Sequence, residues 1–216
     1  MTLRPLHDEE NFNALTHALG LACGLAASIF LGLVAARRGT VWQLAGCAVY
    51  ATTLIATYAA STLSHVFRGP RLSRVFRIAD QALIFLFIAG TYTPVALTYL
   101  RGGNWWLLHG LIWGIALAGF VSKVAFEHRV ELGAVSVTLY VLLGWVPVLA
   151  APFLWGVVPG RLMLWYLAGG LCYMAGIVFF IFDNRVRYFH AAWHLMVVAG
   201  SAMHFLAILA YCTAAR

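Results

Sequence analysis

The sequence predicts an all-α protein, a bundle of seven helices that each cross a membrane. Three observations carry this. Of the 216 residues, 63% are hydrophobic and only 10% are charged, against about 25% charged in an ordinary soluble domain. The apolar residues gather into seven runs, each close to the ~20 residues that a spanning helix needs. The runs are continuous rather than alternating, which excludes a β-barrel. A disordered chain is excluded by the same composition.

Taken in order, the spans fall at about 14–36, 41–67, 78–100, 104–122, 131–152, 161–182 and 188–212. Charges punctuate them. Arg37 and Arg38 close the first run, and a basic stretch at 68–77 separates the second from the third. A short turn at 101–104 leads into the fourth. Lys123 to Glu131 closes it, though apolar residues interrupt those charges. Pro159, Gly160 and Arg161 open the sixth, and the polar stretch 183–187 precedes the seventh. Thr93-Pro94 and Pro147 mark expected kinks within spans. The whole chain, 1–216, reads as a single membrane domain with no soluble domain and no linker.

The net charge is +7, from 14 Lys+Arg and 7 Asp+Glu. In so apolar a chain this reads as loops that hold the topology, and no nucleic-acid partner is expected. One side of the bundle collects Arg4, Arg68, Arg71, Arg74, Arg77, Lys123, Arg129, Arg185 and Arg187. The other collects Arg37, Arg38, Arg101, Arg161 and Arg216. The excess on the first side places the N-terminus in the cytoplasm and the C-terminus outside. The N-terminal residues are polar and partly acidic, so no cleavable signal peptide is expected. The four cysteines, 23, 47, 172 and 212, lie inside apolar runs with no metal-like spacing. They read as small packing residues, without a disulfide framework.

Ionisable groups inside spans are costly, and mark candidate functional sites. Glu10 and His17 lie at the start of span 1, and Ser61 and His65 at the end of span 2. Asp80 is at the start of span 3, and His190 and His194 at the start of span 7. Given the topology, all seven fall at one membrane level, the cytoplasmic one. His204 lies deeper in span 7 and reads as a buried, hydrogen-bonded histidine. His109 reads as interfacial, and His7 and His128 as solvated.

His190 and His194 form an H-x3-H pair, which puts both imidazoles on one helix face about 6 Å apart along the axis. Such a pair suits one metal ion. With 8 histidines in 216 residues, it also arises by chance about 0.3 times. Ala191 stands where the zinc-protease motif H-E-x-x-H has its glutamate, so that motif is excluded. His65 is the candidate third ligand at the right depth. Three histidines leave the fourth position of a tetrahedral zinc open, as in catalytic sites. Each residue has a plainer reading. Paired histidines can hydrogen-bond neighbouring helices, Ser61 can pack against its own helix, and Asp80 can pair with Arg77.

Three motifs resemble the hemolysin III proteins, the bacterial branch of the progestin and adipoQ receptor family. The first is E-x2-N-x3-H, here Glu10, Asn13 and His17. The second is S-x3-H with a distant aspartate, here Ser61, His65 and Asp80. The third is H-x3-H, here His190 and His194, with His204 following. The motifs run in order over 10–205. The resemblance implies a seven-helix protein of a bacterial cell membrane, with zinc held by His65, His190 and His194 near the cytoplasmic face. The wider group looks related to alkaline ceramidases, which suggests hydrolysis of a lipid amide or ester. In that reading Asp80 and Ser61 are catalytic, a membrane lipid is the partner, and Glu10, Asn13, His17 and His204 support the site. The alternatives are a non-enzymatic sensor with a structural zinc, and a cytolysin or channel. The sequence shows no amphipathic pore-forming stretch.

Overall fold

The computed structural model describes residues 7–102, 105–126 and 132–213. Arg4, His128, Arg129 and Arg216, used above in reading charge and solvation, lie outside them. The helices are α1 (His7–Arg38), α2 (Val41–Val66), α3 (Pro70–Tyr99), α4 (Trp105–Ala125), α5 (Leu132–Leu149), a single-turn α6 (Ala151–Leu154), α7 (Gly160–Phe182) and α8 (Phe189–Thr213). Seven of them are long and apolar enough to cross a membrane. Large apolar side chains such as Leu15, Leu19, Ile29 and Leu164 point outward, where lipid solvates them.

Helix α1 packs on α2 and α8, α2 on α3, α3 on α4, and α7 on α8, while α3 also touches α5 and α8. The bundle closes through α1, and α3 runs near its middle. Close approach of α2 and α3 depends on Gly46, where a Cβ would meet the Pro94 backbone at 2.7 Å. A capping box starts α2: Thr40 Oγ1 accepts the Gln43 amide and Gln43 Oε1 accepts the Thr40 amide.

The basic stretch 68–77 differs from the sequence expectation. It is mostly helix, because Gly69 caps and Pro70 opens α3 well before the apolar run begins. Only the short turn between Val66 and Pro70 is non-helical. Charge punctuation marks where apolar character ends, while a helix continues past that point. Asp80 therefore sits almost three turns inside α3, not at its start. Both prolines lie within continuous helices. A tyrosine hydroxyl bonds the carbonyl three residues before each proline: Tyr166 donates to Thr91 O at 2.9 Å and Tyr92 to Gly144 O at 2.6 Å.

Candidate metal centre

The end of α2, the end of α7 and the starts of α1 and α8 meet at one end of the bundle. This brings His65, His190 and His194 together, with one ligand atom from each within 4.8 Å of the others. Ring centroids are 5.1 Å apart for His65–His190, 5.1 Å for His65–His194 and 4.5 Å for His190–His194. Two imidazoles that share one tetrahedral ion, with metal–nitrogen bonds of about 2.0 Å, have centroids about 5 Å apart. The three rings therefore fit one metal ion.

Their hydrogen bonds agree with this. His65 Nδ1 lies 2.8 Å from Glu10 Oε2, and His190 Nδ1 lies 2.8 Å from Asp183 Oδ2. Each carboxylate accepts, so each imidazole carries its proton on Nδ1. His194 Nδ1 is 3.1 Å from Thr16 Oγ1, whose own proton goes to Asn13 O at 2.9 Å. Thr16 therefore accepts from His194 Nδ1 as well. All three rings are held in one tautomer, which leaves each Nε2 with a free lone pair. Histidines that ligate metals are oriented in this way by carboxylates and other acceptors on the distal nitrogen.

Each partner is itself fixed. The Asn184 amide holds the second oxygen of Asp183 at 2.9 Å. The start of α1 is tied to the loop before α8: Arg187 Nε is 3.5 Å from Glu9 Oε1, and the Tyr188 amide donates to the same oxygen at 3.2 Å. Tyr188 has φ of 62°, a left-handed conformation that costs a non-glycine residue free energy and marks a position fixed by its surroundings. Its ring also packs edge-on against Phe12. This bend is where the chain turns into α8, two residues before His190. Asn11 Oδ1 accepts from Arg68 at 2.5 Å, joining α1 to the turn after α2.

The remaining sequence candidates take different places. His17 stacks on His194 with centroids 3.6 Å apart, too close for two rings around one ion. Its two nitrogens are buried without a hydrogen-bond partner among the described residues. Asn13 is buried and contributes its backbone carbonyl, as above. Ser61 is 1% exposed, one turn before His65. Asp80 is its polar neighbour from α3. His204 is ten residues beyond His194, so about 15 Å along the axis, and its Nε2 lies 3.0 Å from Tyr166 O. It belongs to the helix packing, not to the trio. His109 lies at the opposite end, with its ring against Trp106.

Sequence reasoning missed Asp183 and Thr16. Asp183 reads as one of several charges in a loop, and Thr16 as an ordinary hydroxyl on a helix. The available signal was slight, a carboxylate seven residues before a candidate ligand.

A cavity of about 1520 Å³ opens from this centre. Glu10, His17, Ser61, His65, Asp80, His190 and His194 line one end of it, and the rest is mainly apolar. One face of α3 runs along it through Ile84, Ile88, Thr91 and Val95 to Leu100. From Asp80 to Leu100 is about 30 Å along a helix axis, so the cavity reaches from one end of the bundle toward the other.

Removing a carboxylate that holds a ligand is expected to weaken the metal without abolishing it. Glu10→Gln and Asp183→Asn should each lower metal affinity about 10- to 100-fold, measured by competition with a chelating dye. Arg71→Cys, exposed on α3, should leave it unchanged.

Comparison with known proteins agrees with the motifs. A family described as Haemolysin-III related matches residues 6–205. The chain is 36% identical to Hemolysin-3 of Bacillus cereus over 203 residues, covering 94% of this chain and 91% of the relative. It is 33% identical to the Hemolysin-3 homolog of Bacillus subtilis (strain 168), covering 94% of each. A more distant relative is the human monocyte to macrophage differentiation factor, 26% identical over 96% of this chain and 86% of that one. No solved structure matches the chain. With seven candidate spans and a family match over most of its length, this chain belongs to the Haemolysin-III related family as a multi-pass membrane protein.

Proposed function

We propose that the protein is a zinc-dependent hydrolase of a lipid amide or ester, working at the cytoplasmic face of a bacterial cell membrane. The observation that carries this is the trio of tautomer-locked imidazoles at one end of a long apolar cavity, with a carboxylate and a serine hydroxyl beside them. Zinc in a three-histidine setting acidifies water and polarises a carbonyl, with one position left for them. His65, His190 and His194 hold the ion. Asp80 takes the proton of the attacking water. Ser61, beside Asp80, donates its hydroxyl to the oxygen that becomes negative at the reacting carbonyl. Glu10, Asp183 and Thr16 keep the ligand nitrogens aimed.

 The apolar length of the cavity takes the hydrocarbon chain. Asp183 acts only through His190, and Thr16 only through His194.

The orientation is part of the same reading. The basic start of α3 faces the cytoplasm, supported by the Lys/Arg excess on that side. An Arg71→Cys variant in intact cells should resist an impermeant thiol reagent and react once the membrane is opened. Labelling from outside intact cells would reverse the orientation.

The activity itself is tested with purified protein and a broad panel of ceramides, other lipid amides and ester lipids, reading fatty-acid release with and without prior metal depletion. Metal-dependent release from at least one class is expected. The names of the bacterial relatives speak of hemolysis, so leakage of dye from vesicles belongs in the same experiment. Leakage without hydrolysis would replace the enzymatic reading with a cytolytic one.

A further inference from the structure

The end of the bundle away from the histidines holds a pair of thiols. Cys47, in the second turn of α2, and Cys212, in the last turn of α8, have their Sγ atoms 3.3 Å apart. Both residues are 2% exposed, and 165 positions of sequence separate them. Cys23 is exposed and Cys172 half-buried, and neither has a thiol contact among the described residues. Helices α2 and α8 otherwise meet through tyrosines: Tyr50 donates to Ser201 O at 3.4 Å and Tyr58 to Ser201 Oγ at 3.0 Å. These are also the two helices that carry the three histidines. The cysteine pair thus joins at one end the elements that the candidate metal centre joins at the other.

We infer that Cys47 and Cys212 are a modification site, a thiol pair that closes to a disulfide between α2 and α8. A disulfide has its sulfurs about 2 Å apart, so closure from 3.3 Å draws them together by only about 1.3 Å. The oxidant class is a small peroxide. One thiolate attacks the peroxide, forming a sulfenic acid and releasing water. The second thiol attacks that sulfur, forming the S–S bond and releasing a second water. Two electrons pass from the two thiols to one peroxide. A molecule little larger than water suits a buried site, where a protein oxidant does not fit.

The experiment uses the full-length protein in detergent. It is treated with hydrogen peroxide, denatured in excess alkylating reagent, digested and mapped by mass spectrometry without reduction. The expected result is a Cys47–Cys212 linked peptide, two of the four thiols protected from alkylation, and full recovery of four on reduction. The melting temperature should rise by several degrees on oxidation of the wild type and not of Cys47→Ser, since a link across so long a loop restricts the unfolded chain. Four thiols recovered after peroxide, cross-links to Cys23 or Cys172, or separate over-oxidation of the two sulfurs would overturn the inference. Because the mapping is done on the wild type, a poorly folding variant leaves the result intact, and none of it depends on the metal or the hydrolysis.

Discussion

His190→Ala and His194→Ala are each expected to lose most of the bound zinc in purified protein, measured by elemental analysis against a wild type with about one ion per chain. Each removes one of three imidazoles whose centroids stand 4.5 to 5.1 Å apart. Two remaining imidazoles with no third protein ligand fall below the usual zinc set. His65→Ala should behave alike, although its ligand comes from a different helix. His204→Ala is the control. It is buried, at 4% exposure, but bonds the Tyr166 carbonyl instead, so its loss should cost packing and leave the metal in place. Full zinc in both the His190 and His194 variants would show that the ion is held elsewhere.

Asp80→Asn separates an enzyme from a protein with a structural ion. The amide is nearly the same shape but takes up no proton at neutral pH. If Asp80 is the base, metal content and melting temperature should stay close to wild type while turnover falls by about 10² to 10⁴. Ser61→Ala should also keep its metal and lose about 10² in rate if the hydroxyl donates to the oxyanion. The structural alternative gives the opposite pattern. There Asp80 fills the fourth position, so Asp80→Asn lowers zinc content and melting temperature together, and the wild type releases no fatty acid from any lipid in the panel. Loss of metal in Asp80→Asn with an inert wild type would therefore remove the catalytic reading.

The seven helices could be read from the chain because a bilayer imposes a length and a composition on whatever crosses it. The common level of Glu10, Ser61, His65, Asp80, His190 and His194 followed from the alternation of spans alone. What the sequence hid depends on side-chain direction and on where helices end. Asp183 faces His190 because α7 stops there and the chain bends through Tyr188, and no periodicity encodes that bend. Thr16 and His17 are neighbours in sequence, yet one bonds His194 and the other stacks on it, a difference set by the rotation of α1 against α8. The helical start of α3 was masked by its arginines, which mark the edge of the apolar run while Gly69 and Pro70 set the helix end. Cys47 and Cys212 read as packing residues because nothing local links positions so far apart.

One zinc ion on three histidine nitrogens at the end of the cavity underlies everything proposed for the site. The most direct test is a crystallographic anomalous-difference map of the wild-type protein, with data collected on both sides of the zinc absorption edge. One strong zinc-specific peak is expected, about 2.0 Å from Nε2 of each of His65, His190 and His194, with Glu10, Asp183 and Thr16 still on the Nδ1 atoms. A peak bound through Nδ1, a peak elsewhere in the bundle, or no zinc signal in protein purified without chelator would contradict it.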